Sequence, residues 1–195
     1  MSDTDTNYSY FMGIDPGING AISVISEDGK ALAYKMPVTE RIVSGKTKKG
    51  NPRVRKSINE DELYRMLKVI VDVSPNMMCM IENVHSMPRD GGVQGFSFGD
   101  AFGFIKGVCK GLGVKYNLIS PQRWQNAILG KKNKLIGPDG KIIDEGKKRY
   151  IDWAEAKFGR TILIPSNKRV PDSDIAASLA IATYCRQLYG KSDAF

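Results

Sequence analysis

The chain reads as an α/β domain, a mixed central β-sheet with helices on both faces. Three observations predict it. Residues 10–37 hold three short apolar runs in succession, and from residue 59 onward helical and strand-like stretches alternate. Between them, Met77-Met78-Cys79-Met80-Ile81 is the continuous apolar run of a strand buried on both faces. At 195 residues, with 42% apolar content, the chain is one domain large enough for a real core.

The first strand, from Tyr10, ends at Asp15. Ala21 to Ser26 and Ala31 to Met36 flank the turn Glu27-Asp28-Gly29-Lys30, a hairpin signal. Residues 41–56 carry Arg41, Lys46, Lys48, Lys49, Arg53, Arg55 and Lys56, interrupted by Gly45, Gly50 and Pro52. Such a segment cannot bury itself, so an exposed loop is expected. Its single-sign charge points to phosphate contact rather than plain solvation.

Asn59 starts a helix, with Glu62 in capping-box spacing. Leu63, Met66, Leu67, Ile70 and Val71 form its apolar stripe. A second helix begins at Phe98, with Phe102, Ile105, Val108, Cys109 and Leu112 on one side. Its small residues Gly99, Ala101, Gly103 and Gly107 allow close approach of another backbone, either the protein's own sheet or a second subunit. Val114 to Ile119 is a further strand, and Pro121 suits the first turn of a short helix. Residues 130–148 form a second basic insert whose Pro138-Asp139-Gly140 lies between apolar pairs, a hairpin pattern. A helix from about Glu145 to Phe158 stops at Gly159, and the last runs from Asp174 to about Tyr189. Residues 10–189 are thus one domain; residues 1–9 read as a disordered tail and 190–195 as a second tail.

The net charge is +8 and the pI near 9.3, which favours a polyanionic partner such as nucleic acid. Cys79, Cys109 and Cys185 lack Cys-x-x-Cys spacing and His85 is the single histidine. That argues against a zinc site or a disulfide framework and for a reducing compartment. No apolar run approaches the roughly 20 residues that span a bilayer, and Met1 to Ser9 lacks the apolar core of a signal peptide. A soluble, cytoplasmic protein is expected.

Three acids stand at the ends of core elements. Asp15 precedes Pro16-Gly17 and Gly20, Glu82 closes the apolar run from Met77, and Asp174 opens the last helix. Phosphodiester hydrolysis needs an activated water and a stabilised leaving oxygen. Two divalent ions held by carboxylates supply both. Gly17 and Gly20 would spare room for an approaching phosphate backbone. Each acid also has a plainer reading: Asp15 as a turn opener, Glu82 as an exposed strand end, Asp174 as a helix N-cap.

The segments Gly13-Ile14-Asp15-Pro16-Gly17 with Gly20, Ile81-Glu82-Asn83-Val84, and Asp174-Ile175-Ala176-Ala177-Ser178-Leu179-Ala180-Ile181-Ala182 resemble the active-site segments of RuvC-type Holliday-junction resolvases. Gln94-Gly95-Phe96-Ser97-Phe98-Gly99 and Ser120-Pro121-Gln122-Arg123-Trp124 resemble the phage-encoded branch, and with it a phage-infected bacterial cell. The resemblance spans about residues 10–187. It implies an RNase H-like fold, a homodimer, two Mg²⁺ or Mn²⁺ ions per active site, and paired symmetric nicks across a four-way DNA junction. By position it makes Asp15, Glu82 and Asp174 metal ligands, and puts Lys147 or Lys148 near the scissile phosphate. His85, three residues after the glutamate, falls where the family often carries an apolar wedge. Phe96 and Phe98 fit a core role equally well.

One departure stands out. The family's fourth acid falls at Ala177. Asp172 substitutes for it from the preceding loop, or three acids suffice, or the copy is inactive. The expected DNA contacts are Lys46, Lys48, Lys49, Arg53, Arg55, Lys56, His85, Arg89, Arg123, Lys131, Lys132 and Lys134. The rival to a nuclease is a junction-binding protein without cleavage. A two-domain actin-like ATPase or sugar kinase does not fit in 195 residues.

Overall fold

The computed structural model describes residues 8–83, 91–131, 135–136, 142–143, 146–166 and 168–191. In chain order these form β1 (Tyr10–Asp15), β2 (Ala21–Ser26), β3 (Ala31–Lys35), β4 (Val38–Lys46), β5 (Pro52–Ile58) and α1 (Glu60–Val73). There follow β6 (Met77–Glu82), α2 (Gly92–Gly111), β7 (Lys115–Ile119), α3 (Pro121–Leu129), β8 (Leu135–Ile136), β9 (Ile142–Ile143), α4 (Lys148–Phe158) and α5 (Ser173–Tyr189). The central sheet has the order β3-β2-β1-β6-β7. β1, β2 and β3 run antiparallel, whereas β6 and β7 join β1 in parallel. This is the mixed sheet expected from the order of elements.

Side-chain alternation sends the two faces of β1 and β6 to different helices. Met12, Ile14, Cys79 and Ile81 pack with α1 and α2 residues such as Leu63, Leu67 and Ile105. Phe11, Met78 and Met80 pack with Trp124 of α3 and with Ala180, Ile181 and Tyr184 of α5. Helix α5 is buried along its whole run from Ile175 to Cys185, so it is apolar on every side, as a central helix must be. Each Leu or Ile fully buried there contributes about 1.5–3 kcal/mol. Gly13 lets α5 lie this close. A Cβ at that position would collide with the backbone of Ser178 and Ala182, and the Ser23 and Ser178 hydroxyls hydrogen-bond at 2.6 Å in the same contact.

Local signals placed most elements. Asn59 caps α1, accepting from the Glu62 N–H at 3.2 Å and donating to the Glu62 carboxylate at 3.1 Å, a reciprocal box. Pro121 occupies the first turn of α3 after Ser120, and α4 ends at Gly159.

Two expectations are corrected. Residues 41–56 are not a loop: β4 and β5 form an antiparallel hairpin with Arg41 opposite Arg55 and Ile42 opposite Val54. The interrupting residues sit where a hairpin tolerates them, Gly45 at the register shift after Val43, Gly50 in the turn, Pro52 at the start of β5. Both faces are mostly solvated, which hid the alternation. Helix α2 begins at Gly92, six residues before Phe98, because the weak helix formers Gly92, Gly95 and Ser97 mask its first turns. A Cβ at Gly99, Gly103 or Gly107 would meet nothing within 4 Å, so these glycines do not serve packing on the sheet.

Candidate active site

β1 and β6 are adjacent and parallel, and their last paired residues are Ile14 and Ile81. Asp15 and Glu82 are the next residues on each, at the same edge of strands roughly 4.8 Å apart. They continue the series Phe11, Gly13 and Met78, Met80 that faces α5. Helix α5 carries Asp174 in its first turn, at this same edge. The Asp15 carboxylate is raised to about 6, first by burial and also by the charge of Asp174; the Gly17 N–H, 3.3 Å from Oδ1, and Lys35 and Lys147 oppose the rise. Glu82 is pushed up to about 7 by burial and then by the charge of Asp15, against the hydrogen bond from Trp124.

Each acid has its own partners. The indole N–H of Trp124, 1% exposed, donates to Glu82 Oε1 at 2.8 Å. Asp174 accepts from Lys147 Nζ at 2.8 Å and from Lys35 Nζ at 3.4 Å. Asp172 is the N-cap of α5: its Oδ1 accepts the Asp174 and Ile175 N–H groups at 2.9 and 3.2 Å and Lys35 at 2.9 Å, and its Oδ2 accepts Lys168 at 2.6 Å. Burial raises the Asp172 carboxyl, but Lys168, Lys35 and the Asp174 N–H outweigh it and hold the group at about 2. The cap is therefore Asp172 and not Asp174.

Among the described residues, no three His, Cys, Asp or Glu side chains form a group able to hold a metal ion as they stand. Three of the acids are engaged by other partners. Glu82 is turned to Trp124, Asp174 to two lysines, and Asp172 has both oxygens engaged. Asp15 and Glu82 nevertheless suit a hard cation. They are paired carboxylates at one strand edge whose ionisation is opposed by burial and by a neighbouring acid, Asp174 for Asp15 and Asp15 for Glu82, a condition that a divalent ion relieves.

The Gly20 expectation changes. A Cβ there would strike the carbonyls of Asp15 and Gly17, so Gly20 closes the turn itself, whose Gly20 N–H bonds to the Gly17 carbonyl at 2.7 Å. A Cβ at Gly17 meets Asp15 Oδ1 only at 3.7 Å, an ordinary contact. Ala177 is 9% exposed and packs with Trp124 and Ile181.

Lys147 points to Asp174, whereas Lys148 pairs with Asp152 at 2.5 Å. Lys46, Lys48, Lys49, Arg53 and Lys56 are exposed on the β4–β5 hairpin and its turn; Arg55 is half-buried, its Nη2 donating to Ser97 Oγ at 2.7 Å. The hairpin leaves the sheet near the acids, since β3 ends at Lys35 opposite Ala21, the start of β2. Arg123 and Lys131 are exposed on and after α3. His85, Arg89, Lys132 and Lys134 lie outside the described residues.

Sequence reasoning gave no role to Trp124, Lys35 or Lys168. Trp124 closes the Ser-Pro-Gln-Arg-Trp segment, which was the one signal that could have found it. Lys35 and Lys168 carry no local signal, because only the register and the α5 cap bring them to Asp172.

No protein-family model matches the chain, and no curated protein matches it significantly. Among solved structures it is similar to RuvC of Thermus thermophilus, with a TM-score of 0.52 and 18% identity over 93% of this chain and 98% of that one. It is also similar to T. thermophilus RuvC in complex with a Holliday junction substrate, with a TM-score of 0.56 and 18% identity over 94% and 99% of the two chains. The chain has the α/β, RNase H-like fold of RuvC, built on a mixed five-stranded sheet.

Proposed function

We propose that the protein is a divalent-metal-dependent endonuclease that binds four-way and other branched DNA as a homodimer and cuts it by paired nicks. One observation carries this reading. Asp15 and Glu82 end neighbouring parallel strands beside the first turn of α5, each with its ionisation opposed by burial. The T. thermophilus neighbour bound to a Holliday junction supports the choice of substrate, as does the net charge of +8.

Asp15, Glu82 and Asp174 would hold Mg²⁺ or Mn²⁺, which when bound supplies an activated water and neutralises the leaving oxygen. The chain's own groups do the rest. Trp124 holds one oxygen of Glu82 and so orients the other. Asp172, gripped by Lys35 and Lys168, fixes the first turn of α5 and thereby Asp174; it acts as a positioning residue. Lys147, with its side chain largely exposed at the rim, sets an ammonium where a phosphate would arrive. The basic β4–β5 hairpin grips a DNA arm. The open strip of Gly99, Gly103 and Gly107 on α2 offers a second subunit close approach.

A second reading, junction binding without cleavage, is favoured by Ala177 and by the ion-paired state of Asp174. The test uses a labelled four-way junction and the matching duplex, with Mg²⁺ or a chelator. Symmetric nicks in the junction alone, lost with the chelator, support the nuclease. Junction binding without product supports the second reading, and Ala177→Asp then shows whether one added carboxylate restores cutting.

A further inference from the structure

The β4–β5 hairpin, the turn after Asp15 and the first half of α2 enclose an open cleft of about 620 Å³ that no step of cleavage uses. Its walls include Ile18, Arg41, Arg55, Lys56 and Phe96. Three features of these walls do not follow from folding. Phe96 is 78% exposed, although the core on this side of the sheet is filled by Phe102, Phe104 and Ile105 of the same helix. Arg41 and Arg55 stand directly opposite each other across the hairpin. Like charges so placed destabilise a strand pair, whereas the neighbouring Glu40 and Lys56 make an ion pair at 2.7 Å. Finally, the Arg55 bond to Ser97 holds one guanidinium against the helix turn that carries Phe96.

We propose that this cleft receives one unpaired nucleotide of branched DNA, its phosphate between Arg41 and Arg55 and its base stacked on Phe96. The proposal deepens, and rests on, the reading of the protein as a nuclease of branched DNA. A phosphate between the two guanidiniums turns their repulsion into two charge-assisted contacts. An exposed aromatic face beside arginines is the usual platform for an unstacked base. The cleft's volume lies in the range that holds one small ligand, and is far too small for a duplex. Glu60 and Asp100 also line it. They repel phosphate and accept hydrogen bonds from the exocyclic amine of adenine, cytosine or guanine, so they orient the nucleotide base-inward and favour those bases over thymine. Ile18 lies three residues beyond Asp15, so a strand entering the cleft passes the candidate active site. The centre of a junction, where stacking is already interrupted, is where a base leaves its helix at least cost.

The test measures binding by fluorescence anisotropy. The probes are a labelled four-way junction, a short single strand of adenine and cytosine, and a strand of equal length built from abasic residues. The expected result is a roughly 10-fold loss of single-strand affinity in Phe96→Ala, retained affinity in Phe96→Trp, and no difference between wild type and Phe96→Ala on the abasic strand. Sedimentation is run alongside. If Phe96→Ala changes the number of subunits in the sedimenting species, the ring belongs to a protein contact and the proposal is overturned. If the wild type binds and cuts junctions while Phe96→Ala binds the base-bearing strand as tightly as wild type, the cleft proposal alone fails. If the wild type binds none of the DNAs, the nuclease reading fails with it.

Discussion

The indole of Trp124 donates its N–H to Oε1 of Glu82 at 2.8 Å, across the contact between α3 and the end of β6. Trp124 is buried in the α5-side core, so the bond ties the position of a candidate ligand to packing. Trp124→Phe keeps most of the ring volume and removes the donor. The Glu82 carboxyl, already near 7, should then rise further, and the fold should lose about 1–3 kcal/mol. Denaturant unfolding and the pH profile of cleavage check both. A variant with unchanged stability and profile would show that the bond does not orient Glu82.

The raised carboxyls make a prediction about pH. A group whose folded pKa exceeds its unfolded value adds stability that is complete below the unfolded pKa and lost as pH climbs through the folded one. For Asp15 the window runs from 3.8 to about 6, and for Glu82 from 4.5 to about 7. Metal-free protein should therefore be less stable at pH 8 than at pH 5, by about 1.4 kcal/mol from Asp15 and about 2.5 kcal/mol from Glu82, each acting alone. Because the charge of Asp15 raises Glu82, the two losses are not additive. Asp15→Asn should be more stable than wild type at pH 8 and nearly equal at pH 4. A flat stability profile between these pH values would contradict the burial of both charges.

Asp172 behaves oppositely. Its carboxyl is held at about 2, so its contribution is present above 3.8 and disappears only as pH falls through the folded value, outside the previous window. Asp172→Ala strands the Asp174 and Ile175 N–H groups and leaves Lys35 and Lys168 without this partner. The expected loss is about 2–4 kcal/mol. Asp172→Asn keeps the cap and should lose less. Near-normal stability in Asp172→Ala together with abolished divalent-cation binding would make it a ligand and not a cap.

The hairpin should act through charge alone. Lys46, Lys48 and Lys49 are exposed at its tip and far from any core cluster. Replacing all three by Ala should leave the thermal midpoint unchanged and weaken junction binding. It should also flatten the dependence of log affinity on log salt by roughly 0.9 for each phosphate that is no longer neutralised. Equal salt slopes for variant and wild type would remove the hairpin tip from the DNA interface.

Much of this architecture was legible because it is encoded locally. The capping box of Asn59 and Glu62, the Pro121 start of α3 and the apolar run before Glu82 each mark an element without help from the rest of the chain. The β4–β5 hairpin was hidden because neither face is buried, so alternation left no hydrophobic trace. The acids Asp15, Glu82 and Asp174 stood out by position at element ends. Their environment did not. That Lys35 would reach Asp172 depends on Ala21 pairing with Lys35, and that Trp124 would face Glu82 depends on α3 folding back over β6. Such contacts join residues 42 to 137 positions apart, and no local pattern announces them.

A titration of Mn²⁺ followed by electron paramagnetic resonance, on wild type, Asp15→Asn and Glu82→Gln, asks whether the two strand-end carboxylates share a cation. Wild type should bind with an affinity that drops at least about 10-fold in each variant, the loss of one charged ligand. Asp15→Asn binding Mn²⁺ as tightly as wild type would mean that the ion sits elsewhere or is not held at all.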